Sequence, residues 1–271
     1  MLERTLGKTS TRIPVIGMGS SNTFDVGPVE AERDPLIEVL QELRTAGGTV
    51  IDTSPMYGRS EAVLGDLIEK LRLRPQLWVA TKVWTQGRAA GARQIAASMG
   101  VLRVERLGLL QVHNLLDWRE HLPTLRELRA AGKVRHIGIT HYRADAHDEL
   151  ERVLAAEPFD AVQLNYSLAE PEAEQRLLPF CQERGIGVIV NRPFADGAMF
   201  ERVRNRTLPA FAAELGIESW GQYFLKWIVG HPAVTCVIPA TARARHMRDN
   251  ARAGFGPLPD ARQRARMAAD W

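Results

Sequence analysis

Four residues of this 271-residue chain stand where side chains can do chemistry: Asp52, Tyr57, Lys82 and His113. Asp52 ends a short apolar run from Gly48 to Ile51 that reads as a buried strand, and Tyr57 follows in a loop punctuated by Pro55 and Gly58. Lys82 and His113 end two further apolar runs, Trp78–Lys82 and Leu109–His113. A free phenol, with a pKa of about 10, is a poor acid at neutral pH. An ammonium beside it stabilises the phenolate and lowers that value, and a carboxylate behind the ammonium keeps it charged and in place. The set therefore predicts a proton relay from Asp52 through Lys82 to Tyr57, with His113 offering an N–H to orient a substrate oxygen. A carbonyl held between Tyr57 and His113 would be polarised toward hydride, with Tyr57 delivering the proton. Each residue also has a plainer use. Asp52 could organise a turn with Thr53 and Ser54, Tyr57 could pack a loop, Lys82 and Asp52 could form a structural pair, and His113 could be a core imidazole. Their convergence on three successive strand ends favours the chemistry.

The elements that must position them alternate along the chain. Residues Glu3 to Pro14 read as a short hairpin around Gly7, and Val15–Ser20 as a first buried strand. Helical periodicity over Leu36–Arg44 stops at Gly47-Gly48, and the Asp52 strand follows. Ser60 is expected to N-cap a helix to Leu71, with Glu61 in its first turn. Strands are predicted at Leu77–Val83, Leu107–His113, Val134–Thr140, Phe159–Tyr166, Gly187–Asn191 and Val234–Ile238. Between and after them lie helices at Ala92–Leu102, Leu122–Ala131, Ala144–Ala156, Glu172–Arg184 and Ala244–Ala253, a broken helical region at Leu208–Val229, and a short basic C-terminal helix. Eight strands alternating with helices predict a (β/α)8 TIM barrel preceded by a β-hairpin, with residues 1–271 forming one domain. No GxGxxG follows the first strand, which counts against a Rossmann domain. In such barrels chemistry sits at the C-terminal ends of the strands, and the two-residue period puts Trp78, Ala80 and Lys82 on one face and Leu109, Gln111 and His113 on another.

Composition narrows the function. A chain of 271 residues with a hydrophobic share of 45% can bury a large core, and by composition it fits one α/β barrel as well as two small domains. Arg is abundant and the cations include only Lys8, Lys70, Lys82, Lys133 and Lys226 as lysines, so a Lys at a strand end hints at a need for a compact ammonium. Cys181 and Cys236 form neither a CxxC pair nor a Cys/His cluster, which argues against a metal site or a disulfide framework. The N-terminal residues lack an apolar signal core and no apolar stretch reaches spanning length, so a cytoplasmic protein with no membrane partner is expected. Aromatic interleaving is sparse among the basic residues near the C-terminus, and nucleic acid is not expected as a partner. Oligomeric state is left open.

Taken together, the chain resembles the aldo-keto reductase family over nearly its whole length. The resemblance is carried by Val15-Ile-Gly-Met-Gly19, Ile51-Asp-Thr-Ser-Pro-Met-Tyr-Gly58, Ala80-Thr-Lys-Val-Trp84, Leu109-Leu-Gln-Val-His-Asn114, Gly132–Thr140, Val162-Gln-Leu-Asn-Tyr-Ser167 and Val237-Ile-Pro-Ala-Thr241 with Asp249-Asn250. The family's tetrad falls on Asp52, Tyr57, Lys82 and His113. The resemblance implies a barrel that binds extended NADP(H) and reduces aldehydes, ketones or dicarbonyls.

It also implies cofactor contacts. Gly19, Ser20 and Asp52 lie at the first strand ends; Thr140 and His141 stand where the family's carboxamide-holding pair is usually Ser-Asn, and Gln163 matches the third partner. Asn191 occupies a position that often carries a stacking aromatic, and is followed by Arg192, Pro193 and Phe194, of which Arg192 suits a pyrophosphate. The adenosine-phosphate segment maps to Pro239, Ala240 and Thr241, then Arg245, His246, Asp249 and Asn250. A common Lys is replaced by Ala240 and a common Arg by His246, so NADPH is expected with NADH possible. Phe24, Met56, Trp84, Asn114 and Tyr142 are expected to line the substrate mouth, left open by a short segment after Asn250. A barrel with this tetrad could instead be a catalytically weak NADP(H) sensor.

Overall fold

The structure, a computed structural model, describes residues 1–271, the side chain of Pro75 excepted. An antiparallel hairpin of β1 (Glu3–Thr5) and β2 (Arg12–Pro14) precedes a sheet of eight parallel strands. These are β3 (Met18–Gly19), β4 (Val50–Asp52), β5 (Trp78–Val83), β6 (Leu107–His113), β7 (Val134–Thr140), β8 (Ala161–Asn165), β9 (Gly187–Asn191) and β10 (Val234–Val237), each paired with its neighbour in sequence. Parallel bridges Ile16–Val237 and Gly19–Ala240 join the first strand to the last, so the expected (β/α)8 barrel with its N-terminal hairpin is what the chain builds. The first strand is ladder-paired to β4 only at Met18–Gly19; its other residues bond toward β10, through Gly17 N–H to Val237 O and Val237 N–H to Val15 O.

The two-residue period sorts the strand side chains. Val50, Trp78, Ala80, Leu109, Ala161, Ile189, Cys236 and Ile238 form one buried cluster with Leu6 and Ile13 of the hairpin region. Trp78 and Ala80 thus fill the lower barrel beneath Lys82, as their shared face with it requires. Alternate residues such as Ile51, Val79, Leu110 and Ile137 pack outward with the helices in the larger core.

Helices α1 (Glu30–Thr45), α2 (Ser60–Lys70), α3 (Arg88–Leu102), α4 (Trp118–Ala130), α5 (His147–Ala156), α6 (Leu177–Arg184), α7 (Ala198–Val203), α8 (Trp220–Val229), α9 (Ala244–Arg252) and α10 (Ala261–Asp270) cover the sheet. Several depart from the predicted bounds. Ser60 is the first residue inside α2, not its N-cap; its hydroxyl donates to Ser20 O at 3.4 Å. Glu61 is buried and accepts from Thr81 and Ser98, and burial raises its pKa even against those hydrogen bonds. The predicted helix at Glu172–Arg184 is split, because Arg176 (φ −147°, ψ −52°) breaks it between a 3-10 turn and α6. α7 was not predicted, and the broken region resolves into a 3-10 segment at Ala210–Leu215, a left-handed Gly216 and then α8.

Candidate active site

Register brings the chemistry to one end of the barrel. Asp52 pairs laterally with Gly19 and Ala80, Lys82 with Gln111, His113 with Thr140, and Thr140 with Gln163. Lys82 is fully buried, and its Nζ donates to Asp52 Oδ1 at 2.6 Å and to Thr53 O at 2.8 Å. An ammonium has three donors, so one remains on the side of Tyr57, whose ring centroid lies 5.1 Å from Nζ. Burial alone would lower the Lys82 pKa, but Asp52 and the Tyr57 oxygen together carry it above the ordinary value, so Lys82 stays charged. The second oxygen of Asp52 accepts from Gln163 Nε2 at 2.8 Å and from Gln111 Nε2 at 3.4 Å.

Tyr57 is placed by a tight turn. Its N–H donates to Ser54 O, and Gly58 after it adopts φ +57°. A Cβ at Gly58 would lie 2.3 Å from the Asp25 carboxylate, which itself accepts from the N–H of Arg59. The positive φ favours glycine here, and a Cβ would in addition displace the Asp25 carboxylate. Burial raises the Tyr57 pKa above the phenol value, and Lys82 offsets this only in part. The expectation that Lys82 would bring the phenol below that value is therefore corrected: withdrawal of the phenolate from water outweighs the neighbouring charge.

His113 sits edge-on to Tyr57, with ring centroids 5.8 Å apart, and 6.4 Å from the Trp84 ring. Its Nδ1 lies 3.0 Å from Ser54 Oγ. Burial, with the charge of Lys82, lowers its pKa to about 3, so the imidazole is neutral at physiological pH.

These side chains open on one cavity of about 1080 Å³. Of the residues singled out in the sequence, it is lined by Gly19, Ser20, Asp52, Tyr57, His113, Thr140, Gln163, Asn191, Arg192, Pro193, Phe194, Ala240, Thr241, His246, Asp249 and Asn250, and toward the mouth by Met56, Asn114 and Tyr142. Lys82 stands behind Asp52 and Tyr57. The structure holds the others off the wall. Phe24 is fully buried in the core, so Thr23 and Asp25 on either side of it face the cavity instead. His141 stacks on Tyr142, with centroids 5.6 Å apart, and its Nδ1 accepts from Arg143 N–H. Pro239 gives its carbonyl to Gly19 N–H in closing the barrel, Arg245 points to solvent, and Trp84 is 40% exposed at the rim. Arg192 pairs with Asp196 at 3.1 Å and lies 5.6 Å from the Tyr142 ring. Among the described residues, none after Asn250 lines the cavity.

Ser219, Trp220 and Gly221 were not singled out, yet they form part of the wall. Ser219 N-caps α8, accepting from Gln222 N–H at 3.1 Å, and donates to Asp249 Oδ2 at 2.6 Å; Gln222 Nε2 holds Asp249 Oδ1 at 2.7 Å. The Ser-x-x-Gln spacing signals a helix start, but nothing local signals a cavity. An extended dinucleotide suits this groove. Ser20 Oγ and Asn191 Oδ1 are buried without protein partners on residues that line it, and such atoms are costly unless a ligand or water meets them. Among the described residues there is no metal-binding cluster, and no helix is long and apolar enough to cross a membrane.

Comparison with known proteins agrees with the fold. A model of the Aldo/keto reductase family matches residues 15–267. Methylglyoxal reductase YeaE of Escherichia coli (strain K12) is 26% identical over 245 residues, covering 88% of this chain and 84% of that protein. The NADH-specific methylglyoxal reductase of the same organism is 28% identical over 242 residues, covering 76% and 72% respectively. Among solved structures, an aldo-keto reductase from Klebsiella pneumoniae in complex with NADPH aligns with a TM-score of 0.82 at 26% identity, over 100% of this chain and 96% of that one. The chain belongs to the aldo/keto reductase family.

Proposed function

We propose that this protein reduces small aldehydes, ketones or dicarbonyls to alcohols, with Tyr57 as general acid. It is an NADP-dependent oxidoreductase, and NADH remains a possible second cofactor. The observation that carries the reading is geometric: Tyr57 and His113 line the cavity with ring centroids 5.8 Å apart, and behind them the buried Lys82 Nζ lies 2.6 Å from Asp52 Oδ1 and 5.1 Å from the Tyr57 ring centroid. The kinship with two methylglyoxal reductases favours a small dicarbonyl.

Ser20, Thr140, Gln163 and Asn191 would hold the nicotinamide end and Thr241, His246 and Asn250 the adenosine end. Thr241 precedes the N-terminus of α9, whose free N–H groups suit a phosphate. When bound, the reduced cofactor supplies hydride to the carbonyl carbon. Tyr57 donates its O–H proton to the carbonyl oxygen as charge develops there, and Lys82 stabilises the phenolate that remains. Asp52 holds Lys82 in place and His113 orients the carbonyl oxygen. The high Tyr57 pKa keeps the acid protonated across neutral pH.

The test is to follow the near-ultraviolet absorbance of NADPH, and separately NADH, while small aldehydes, ketones and dicarbonyls are added. Consumption with a subset supports the reading and outlines the pocket. No consumption with any of them, together with tight NADPH binding by tryptophan fluorescence, would favour a cofactor sensor.

A further inference from the structure

We infer that Ser54 is a positioning residue that fixes the tautomer of His113, so that the ring presents Nε2–H to the substrate oxygen. The inference rests on the reading of His113 as the group that orients the carbonyl.

Ser54 is fully buried, and its hydroxyl has two neighbours: Met56 N–H, which donates to Oγ at 3.2 Å, and His113 Nδ1 at 3.0 Å. A hydroxyl carries one hydrogen and can also accept; a neutral imidazole carries one N–H and one acceptor nitrogen. Two arrangements are open. If Nδ1 bore the proton it would donate to Oγ, which already accepts from Met56. The Ser54 hydrogen would then need an acceptor of its own, and among the described residues none is in reach. If instead Ser54 donates to Nδ1, the Met56 N–H, the hydroxyl hydrogen and the Nδ1 lone pair are all satisfied. The imidazole proton then resides on Nε2. That nitrogen has no protein partner and is not among the buried unpaired atoms, so it opens on the cavity His113 lines. A lone pair there would repel a carbonyl oxygen, whereas an N–H attracts one. An unpaired buried donor is unfavourable enough to decide between the two tautomers.

The backbone of the same residue serves the other proton-active group, since Ser54 O accepts from Tyr57 N–H at 3.0 Å. Ser54 therefore ties acid and orienter into one turn. Removing only the hydroxyl separates these contributions, because Ser54→Ala keeps the carbonyl that holds Tyr57.

The test combines nitrogen NMR of 15N-histidine-labelled protein with steady-state kinetics, on the wild type and on Ser54→Ala. The expected result is a wild-type His113 with Nδ1 unprotonated and Nε2 protonated. In the variant that preference is lost and kcat falls by roughly 10- to 100-fold, less than the 10²–10³ of deleting an oxyanion donor outright. Affinity for NADPH is unchanged. A wild-type proton on Nδ1 overturns the inference. So does a variant that keeps the wild-type tautomer at any rate, or one whose tautomer shifts while kcat does not. The tautomer is read without substrate, so a protein that reduces no carbonyl would defeat the functional reading and leave this result to stand or fall alone.

Discussion

Asp52 and Gln163, 111 positions apart in the chain, are joined by a 2.8 Å hydrogen bond from Gln163 Nε2 to Asp52 Oδ2, while Oδ1 of the same carboxylate holds Lys82 at 2.6 Å. One side chain thus holds the ammonium beside Tyr57 and orients an amide that lines the same cavity. Asp52→Asn would replace an acceptor oxygen by an N–H that can serve neither neighbour as the carboxylate does. Breaking a buried ion pair costs about 3–5 kcal/mol because the surviving charge is stranded. The expected outcome in urea unfolding is a loss of that order. Weaker NADPH binding by fluorescence titration should accompany it. A variant with lost turnover but wild-type stability and cofactor affinity would contradict the double role.

The pH dependence follows from two shifts. His113 stays neutral until about pH 3, and Tyr57 stays protonated to above its ordinary value of 10.0. With Tyr57 as the proposed general acid, kcat/KM for the carbonyl should be flat through neutral pH and fall only on the alkaline side. A limb near pH 6.5, the ordinary histidine value, would show that His113 titrates in the working range and would contradict the account.

The same shift makes a stability statement. The folded His113 value lies below the unfolded one, so between about 3 and 6.5 the unfolded chain binds more protons. Its contribution is therefore fully present above pH 6.5 and is lost as pH falls toward 3, with a size of order a few kcal/mol. Urea titrations across that window should show a shallower slope for His113→Asn than for the wild type. Equal slopes would assign the acid sensitivity to other groups.

Much of the site is legible in the sequence because strands convert spacing into direction. Lys82 and His113 could be placed toward the barrel mouth from their positions at the C-terminal ends of their strands together with the two-residue period, and the register brings both to one end of the barrel. Ser219, Trp220 and Gly221 were not legible: they reach the cavity because Asp249, 30 residues after Ser219, draws the start of α8 toward α9. Phe24 misled for the opposite reason, since its loop carries polar neighbours to the cavity and turns the aromatic ring into the core. The Tyr57 shift was missed because residue types reveal a neighbouring charge but not the depth of burial that outweighs it.

Gly58→Ala tests the turn behind Tyr57. A left-handed backbone costs a residue with a Cβ about 1–2 kcal/mol, and the Asp25 carboxylate must also move from its 2.3 Å approach. Reduced stability is expected along with a kcat loss greater than the loss in NADPH affinity. Unchanged kcat would mean that the turn does not aim the phenol.

The most direct measurement compares wild type and Tyr57→Phe side by side, with NADPH absorbance following reduction of a small dicarbonyl and tryptophan fluorescence following NADPH binding. The account predicts that the variant binds NADPH with nearly unaltered affinity while turnover falls by roughly 10²- to 10⁴-fold, the range a positioned general acid supplies. Turnover retained in the variant would contradict the assignment of Tyr57 as the proton donor.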